Sequence, residues 1–118
     1  MPQGPILVID DDPDICDILV RTLGAEGYRV VTARNGMEAM REYELNKPSM
    51  LFVDLMMPHL DGEELLRVLG QPRPPVVLVT ASVRRLEVAE RFDVEDALEK
   101  PFDLEQVRRL ARKHLGPA

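Results

Sequence analysis

Three short stretches of this chain, Ile6–Ile9, Met50–Val53 and Val76–Val79, are apolar at every position. A strand with one face in water alternates apolar and polar residues. Unbroken runs of four instead require burial on both faces, which is the habit of strands in a parallel sheet covered by helices. Each run is followed by a helical stripe. Asp12 before Pro13 is a capping residue with proline at the first helical position, and Ile15, Ile18, Leu19, Thr22 and Leu23 then recur at helical spacing, with Gly27 as the stop. A second strand is expected over Tyr28–Ala33, and Asn35 with Glu38 opens a helix that ends before Pro48.

After the third strand, Asp61 starts a short helix. After the fourth, Val83, Leu86, Ala89 and Phe92 form a stripe. A brief fifth strand at Ala97–Leu98 runs into Lys100 and Pro101, and Asp103 with Gln106 caps a last helix whose inner face is Leu104, Val107, Leu110, Ala111 and Leu115. Strand and helix thus alternate five times. The expected fold class is α/β: five parallel strands covered by five helices on both faces, one domain over residues 1–118.

The whole-chain totals exclude several functions. With 15 Lys and Arg against 21 Asp and Glu, the formal charge is -6, so no direct nucleic-acid contact through the bulk surface is expected. One cysteine, Cys16, allows neither an intrachain disulfide nor a thiol zinc site, and is expected to be packing. No signal-peptide pattern or membrane-length apolar run is present, so a cytoplasmic domain with no membrane contact is expected.

In open parallel sheets the carboxyl ends of the strands share one edge, and ligands bind beyond it. Here that edge collects Asp10 and Asp11 from strand one, Asp54 from strand three, Thr80 from strand four and Lys100 from strand five. Clustered carboxylates repel, so they call for a divalent cation, and hard oxygen donors suit Mg²⁺. One carboxylate oxygen would remain free to attack phosphorus, while Lys100 and Thr80 neutralise and hold the phosphoryl oxygens.

The stretches "ILVIDDDPDI", "FVDLMMPHLDG", "LVTAS" and "EKPF" resemble the successive signatures of response-regulator receiver domains, the phospho-accepting half of two-component signalling. The likeness runs from about Ile6 to the last helix. It implies a flavodoxin-like, doubly wound five-stranded sheet. It also implies that Asp54 is the phosphorylated residue, that Asp10, Asp11, Asp54 and the carbonyl of Met56 hold Mg²⁺, and that Thr80 and Lys100 are the switch hydroxyl and the site lysine. A cis Lys100–Pro101 bond follows from the same likeness. Implied partners are a histidine kinase or phosphotransfer protein and a downstream protein. The face of the fourth helix, fifth strand and fifth helix is offered as a partner or homodimer surface, with Asp96 and Arg109 as a cross-subunit ion pair. The chain would catalyse its own phosphorylation and slow hydrolysis, acting as a switch and not as a metabolic enzyme.

The pattern departs from the family before Lys100. Asp93 and Val94 stand where Gly-Ala is usual, Ala97 stands where the family has Tyr or Phe, and the segment from Thr80 to Lys100 is slightly short. With no ring at position 97, the response to phosphorylation is expected to travel through the loop after Thr80 and the fourth helix, or to be small. Met56 cannot orient a water by hydrogen bonding, so a long-lived phosphoryl group is expected. His59 and His114 are expected at the surface, and Glu87 is expected to support Arg91 at i,i+4 spacing.

Two other readings use the same residues. A phosphatase of the haloacid-dehalogenase type would carry the phosphoryl group on Asp10 within "VIDDD", but the chain has no cap insertion and Asp12 reads as a helix cap. A receiver-like adaptor would work unphosphorylated, and would have no need for mutually repelling carboxylates.

Overall fold

The computed structural model of the chain describes residues 4–57 and 61–118. Five parallel strands form one sheet: β1 (Ile6–Ile9), β2 (Val30–Ala33), β3 (Met50–Val53), β4 (Val76–Thr80) and β5 (Asp96–Glu99), in the order β2-β1-β3-β4-β5. Between them run α1 (Pro13–Ala25), α2 (Gly36–Asn46), α3 (Gly62–Leu69) and α4 (Arg85–Arg91), and α5 (Leu104–Leu115) follows β5. The strand order reverses at β1, so β1 and β3 flank the crevice where such sheets bind ligands.

Strand alternation divides the core into two layers. Leu7, Ile9, Leu51, Val53, Val76 and Leu78 pack with Leu65 and Leu66 of α3, Ala39 of α2 and Val88 of α4. Ile6, Val8, Met50, Phe52, Val77, Val79 and Leu98 face the other way, against Cys16, Leu19 and Leu23 of α1 and Val107 and Ala111 of α5. Burial on both faces is what the unbroken apolar runs require. Among the described residues no helix is long and apolar enough to cross a membrane.

The caps form as the sequence implies. Asp12 accepts from Asp14 N, with Pro13 opening α1, and Asp103 and Gln106 complete a reciprocal capping box. Glu38 N donates to Asn35 Oδ1 at 2.9 Å, whereas the Glu38 carboxylate accepts from Arg34 N and not from Asn35 N. Gly27 follows the α1 C-cap at φ +100°. Asp93 has φ +57°, the left-handed conformation that favours glycine and that aspartate tolerates better than most residues.

Several details differ from expectation. β2 starts at Val30, because Tyr28 turns onto the α1/α5 layer and donates its hydroxyl to Gly116 O. On α1, Ile18 is exposed and Cys16 is buried in its place. On α4, Val83 precedes the helix and is 92% exposed, Leu86 points outward, and Val88 is the buried residue. Ser82 Oγ accepts from Arg84 N and delays the helix start, so Val88, Ala89 and Phe92 form the inner face. Glu87 pairs with Arg84, and Arg91 with Glu63. His114 is mostly covered and lies 2.8 Å from Asp96. His59 lies outside the described residues.

Candidate phosphoryl-acceptor site

Each acidic residue reaches the sheet edge by the ladder beneath it. Asp54 N donates to Ile9 O at 2.9 Å and Asp10 N to Ala33 O at 3.0 Å, continuing the β3–β1 and β1–β2 pairings by one residue. The same continuation on the far side links Lys100 N to Thr80 O at 3.0 Å. The backbone thus delivers all four side chains to one edge.

Asp10, Asp11 and Asp54 offer carboxylate oxygens within 4.8 Å of one another. Asp10 and Asp54 are buried and Asp11 is exposed. Lys100 Nζ donates to Asp10 Oδ2 at 2.7 Å and to Asp54 Oδ2 at 3.0 Å. Two further donors hold the carboxylates still: Asp12 N to Asp10 Oδ1 at 3.0 Å, and Met56 N to Asp54 Oδ1 at 3.0 Å. Burial raises the Asp10 pKa above 3.8, with the Asp54 charge adding to it, against the lowering effect of its hydrogen bonds to Lys100 and Asp12 N. Burial alone would lower the pKa of Lys100. Its bonds to Asp10 and Asp54 and their charges outweigh that, so the pKa rises above 10.5 and the ammonium is secured.

One ammonium against three carboxylates leaves an excess of negative charge, and a divalent cation on oxygen donors matches that excess. The donor set therefore fits Mg²⁺.

Thr80 is fully buried, and its hydroxyl accepts from Ser82 N at 3.2 Å, at the start of the β4–α4 loop. Met56, whose backbone N–H holds Asp54, is 60% exposed. The Lys100–Pro101 bond is cis. Gly62 opens α3 directly against Asp54: a Cβ there would lie 2.4 Å from Asp54 O and 2.9 Å from Leu55 Cα. Only glycine lets the helix come this close.

Sequence reasoning missed three contributors. Cys16 Sγ donates to Asp10 O at 3.3 Å, bracing the acidic turn from α1. Glu63 gathers Arg67, Arg84 and Arg91, tying α3 to α4. Arg85 reaches Glu99 across the α4–β5 boundary. Apart from Glu63–Arg67 at i,i+4 spacing, these are long-range ion pairs; the only signal for them was three arginines within eight positions, Arg84, Arg85 and Arg91, with few acids beside them.

Comparison with known proteins agrees with this geometry. A family model for the response regulator receiver domain matches residues 6–112. The alkaline phosphatase synthesis transcriptional regulatory protein PhoP of Bacillus subtilis is 34% identical over 106 residues, 86% of this chain and 44% of PhoP. Response regulator MprA of Mycobacterium ulcerans is 38% identical over 109 residues, 86% of this chain and 46% of MprA. The chain therefore spans less than half the length of these relatives. Among solved structures, response regulator TrrA of Thermotoga maritima, in complex with Mg²⁺ and BeF, superposes with a TM-score of 0.84 at 27% identity, covering 96% of this chain and 100% of that one. Chemotaxis protein CheY4 of Vibrio cholerae shares the fold with a TM-score of 0.87 at 23% identity, covering 97% and 100%. Both the sheet with its helices and the matched segment lead to one conclusion: the chain belongs to the response regulator receiver domain family of two-component signalling.

Proposed function

We propose that Asp54 is the phosphoryl acceptor of this domain, that Mg²⁺ is required, and that the modification switches contacts with a downstream protein. The observation that carries this reading is Lys100, whose ammonium bonds Asp54 and Asp10 at once at the rim of the acidic cluster. A carboxylate oxygen of Asp54 attacks phosphorus, the bond from phosphorus to the donor's leaving atom breaks, and a mixed anhydride forms on Asp54. With a histidine-kinase phosphohistidine as donor, the leaving atom is an imidazole nitrogen, which takes its proton from solvent. Lys100 can follow the charge from the carboxylate to a phosphoryl oxygen, and Thr80 can turn from Ser82 N to another. Asp10, Asp11, Asp54 and the Met56 carbonyl would hold Mg²⁺, which supplies charge neutralisation at the transferring group.

The added charge at Asp54 favours whichever arrangement of Thr80 and Lys100 meets the phosphoryl oxygens, and the population shifts toward it. We assign the face of α4, β5 and α5 to the downstream partner or to a second copy of the domain. Asp96 is already paired within its own chain, at 3.2 Å with Lys113 and 2.8 Å with His114. A cross-subunit pair with Arg109 would have to displace them.

The test is incubation of wild type and Asp54→Asn with acetyl phosphate and Mg²⁺, followed by intact mass and peptide mapping. One phosphoryl group on Asp54 in the wild type, and none in the variant, is expected. A phosphoryl group on Asp10 would overturn the reading in favour of a phosphatase, and no modification at all would favour an unphosphorylated adaptor.

A further inference from the structure

Glu99 occupies an unusual place beside the site. It is the register partner of Thr80 across the β4–β5 ladder and the residue immediately before Lys100. Any backbone adjustment that brings Thr80 and Lys100 toward a new anion at Asp54 passes through it. Side chains alternate along β5: Leu98 packs on the α1/α5 layer, Ala97 on the α4 layer, and Glu99 shares the face of Ala97.

Arg85, the first residue of α4, crosses to that face and places Nη2 3.6 Å from Glu99 Oε1. Its side chain is 22% exposed, against 35% or more for the other ion-paired arginines among the described residues. Ala97, on the same face, contributes only a methyl group to it.

The helix it belongs to is lightly seated. α4 has seven residues, one of them buried, and no side-chain cap at its N-terminus. Ion pairs grip it from two sides: Arg84 and Arg91 on Glu63 of α3, and Arg85 on Glu99 of β5. Of the two grips, only the second is attached to residues that would meet the phosphoryl group.

We propose that Arg85 is the positioning residue through which events at Asp54 reach α4, acting on Glu99, in a chain that has no ring at position 97 for that purpose. The inference rests on the receiver reading above. When Thr80 and Lys100 move toward the phosphoryl oxygens, Glu99 moves with them, and α4 either follows Arg85 or is released by it while Glu63 retains the other side.

The experiment is amide NMR of ¹⁵N-labelled wild type, Arg85→Met, Glu99→Gln and the charge swap Arg85→Glu with Glu99→Arg, each titrated with beryllofluoride in Mg²⁺. Arg85→Met keeps the apolar stem and Glu99→Gln alters an exposed group, so both are compatible with folding. Shifts near Asp10, Asp54 and Lys100 are expected in every protein, at beryllofluoride concentrations within a few-fold of one another. Shifts over Arg84–Phe92 are expected to shrink by more than half in both single variants and to recover in the swap. An undiminished α4 response in either single variant overturns the proposal, as do a swap no better than the singles and a wild type whose α4 stays silent while Asp54 responds. Silence at Asp54 in the wild type overturns the receiver reading and this inference together.

Discussion

Lys100 and Asp54, 46 positions apart in the chain, meet at 3.0 Å between Nζ and Oδ2. The contact exists because β3 and β5 end on the same edge of one parallel sheet, with β4 between them. The same ammonium stands 2.7 Å from Asp10, so it competes with any metal for the same carboxylates. Removing it should separate two effects. Lys100→Met is expected to tighten Mg²⁺ binding by about tenfold, since the competing charge is gone, and to weaken beryllofluoride capture by at least as much. Magnesium titration by NMR, with and without beryllofluoride, reads both. Unchanged Mg²⁺ affinity would mean that the ammonium and the metal do not share ligands.

Gly62 supports Asp54 from behind. A Cβ there meets Asp54 O at 2.4 Å, and neither partner is a flexible side-chain tip. Gly62→Ala should therefore destabilise the fold by about 2 kcal/mol, the usual range for forcing atoms into filled space, and slow phosphorylation by acetyl phosphate. Urea unfolding gives the first number and mass-resolved time courses the second. A variant as stable as wild type would show that α3 is free to slide.

Met56, two residues past Asp54, has an exposed side chain. A thioether holds water weakly, so the phosphoryl group on Asp54 should be slow to hydrolyse. Met56→Asn, whose amide can orient a water toward phosphorus, is expected to shorten the half-life several-fold. Equal half-lives for the two proteins would remove Met56 from the account of hydrolysis.

Cys16 is 5% exposed, and burial, with the Asp10 charge beside it, pushes its thiol from the ordinary 9.0 up to about 11. The folded value lies above the unfolded one, so the folded state holds the proton more tightly. This contribution to stability is complete below pH 9 and is lost as the pH climbs through about 11. At pH 8 iodoacetamide should label the native thiol at least about a hundredfold more slowly than the urea-unfolded chain, in proportion to the thiolate present. Equal rates would contradict both the burial and the raised value.

How much of this could be read from the residues depended on the range of the interaction. β1, β3 and β4 were legible because four apolar residues in succession leave no wet face, and the register of the acids followed once the strands ended together. Asp12, Asn35, Asp61 and Asp103 announced their helices because capping is a local bond within four residues. α4 was misread for the opposite reason. Its apolar residues fit two faces almost equally, and the choice between them falls to Ser82, which sets the helix start, and to Glu63 and Glu99, which come from distant segments. The pairing of Asp96 with Lys113 and His114, 17 and 18 positions away, was equally beyond any local pattern. In the site, Asp10, Asp11, Asp54 and Lys100 converge as their types and topology imply, whereas the occupied hydroxyl of Thr80 depends on a turn that no pattern specified.

The backbone carbonyl of Asp54 rests against the first turn of α3 with no space for even a methyl group between them. The peptide that carries the Asp54 side chain is therefore pinned from behind. If that side chain takes the phosphoryl group as proposed, the new anion has to be met by the groups around it and not by a retreat of β3, so the acceptor serves as a fixed post about which its neighbours rearrange.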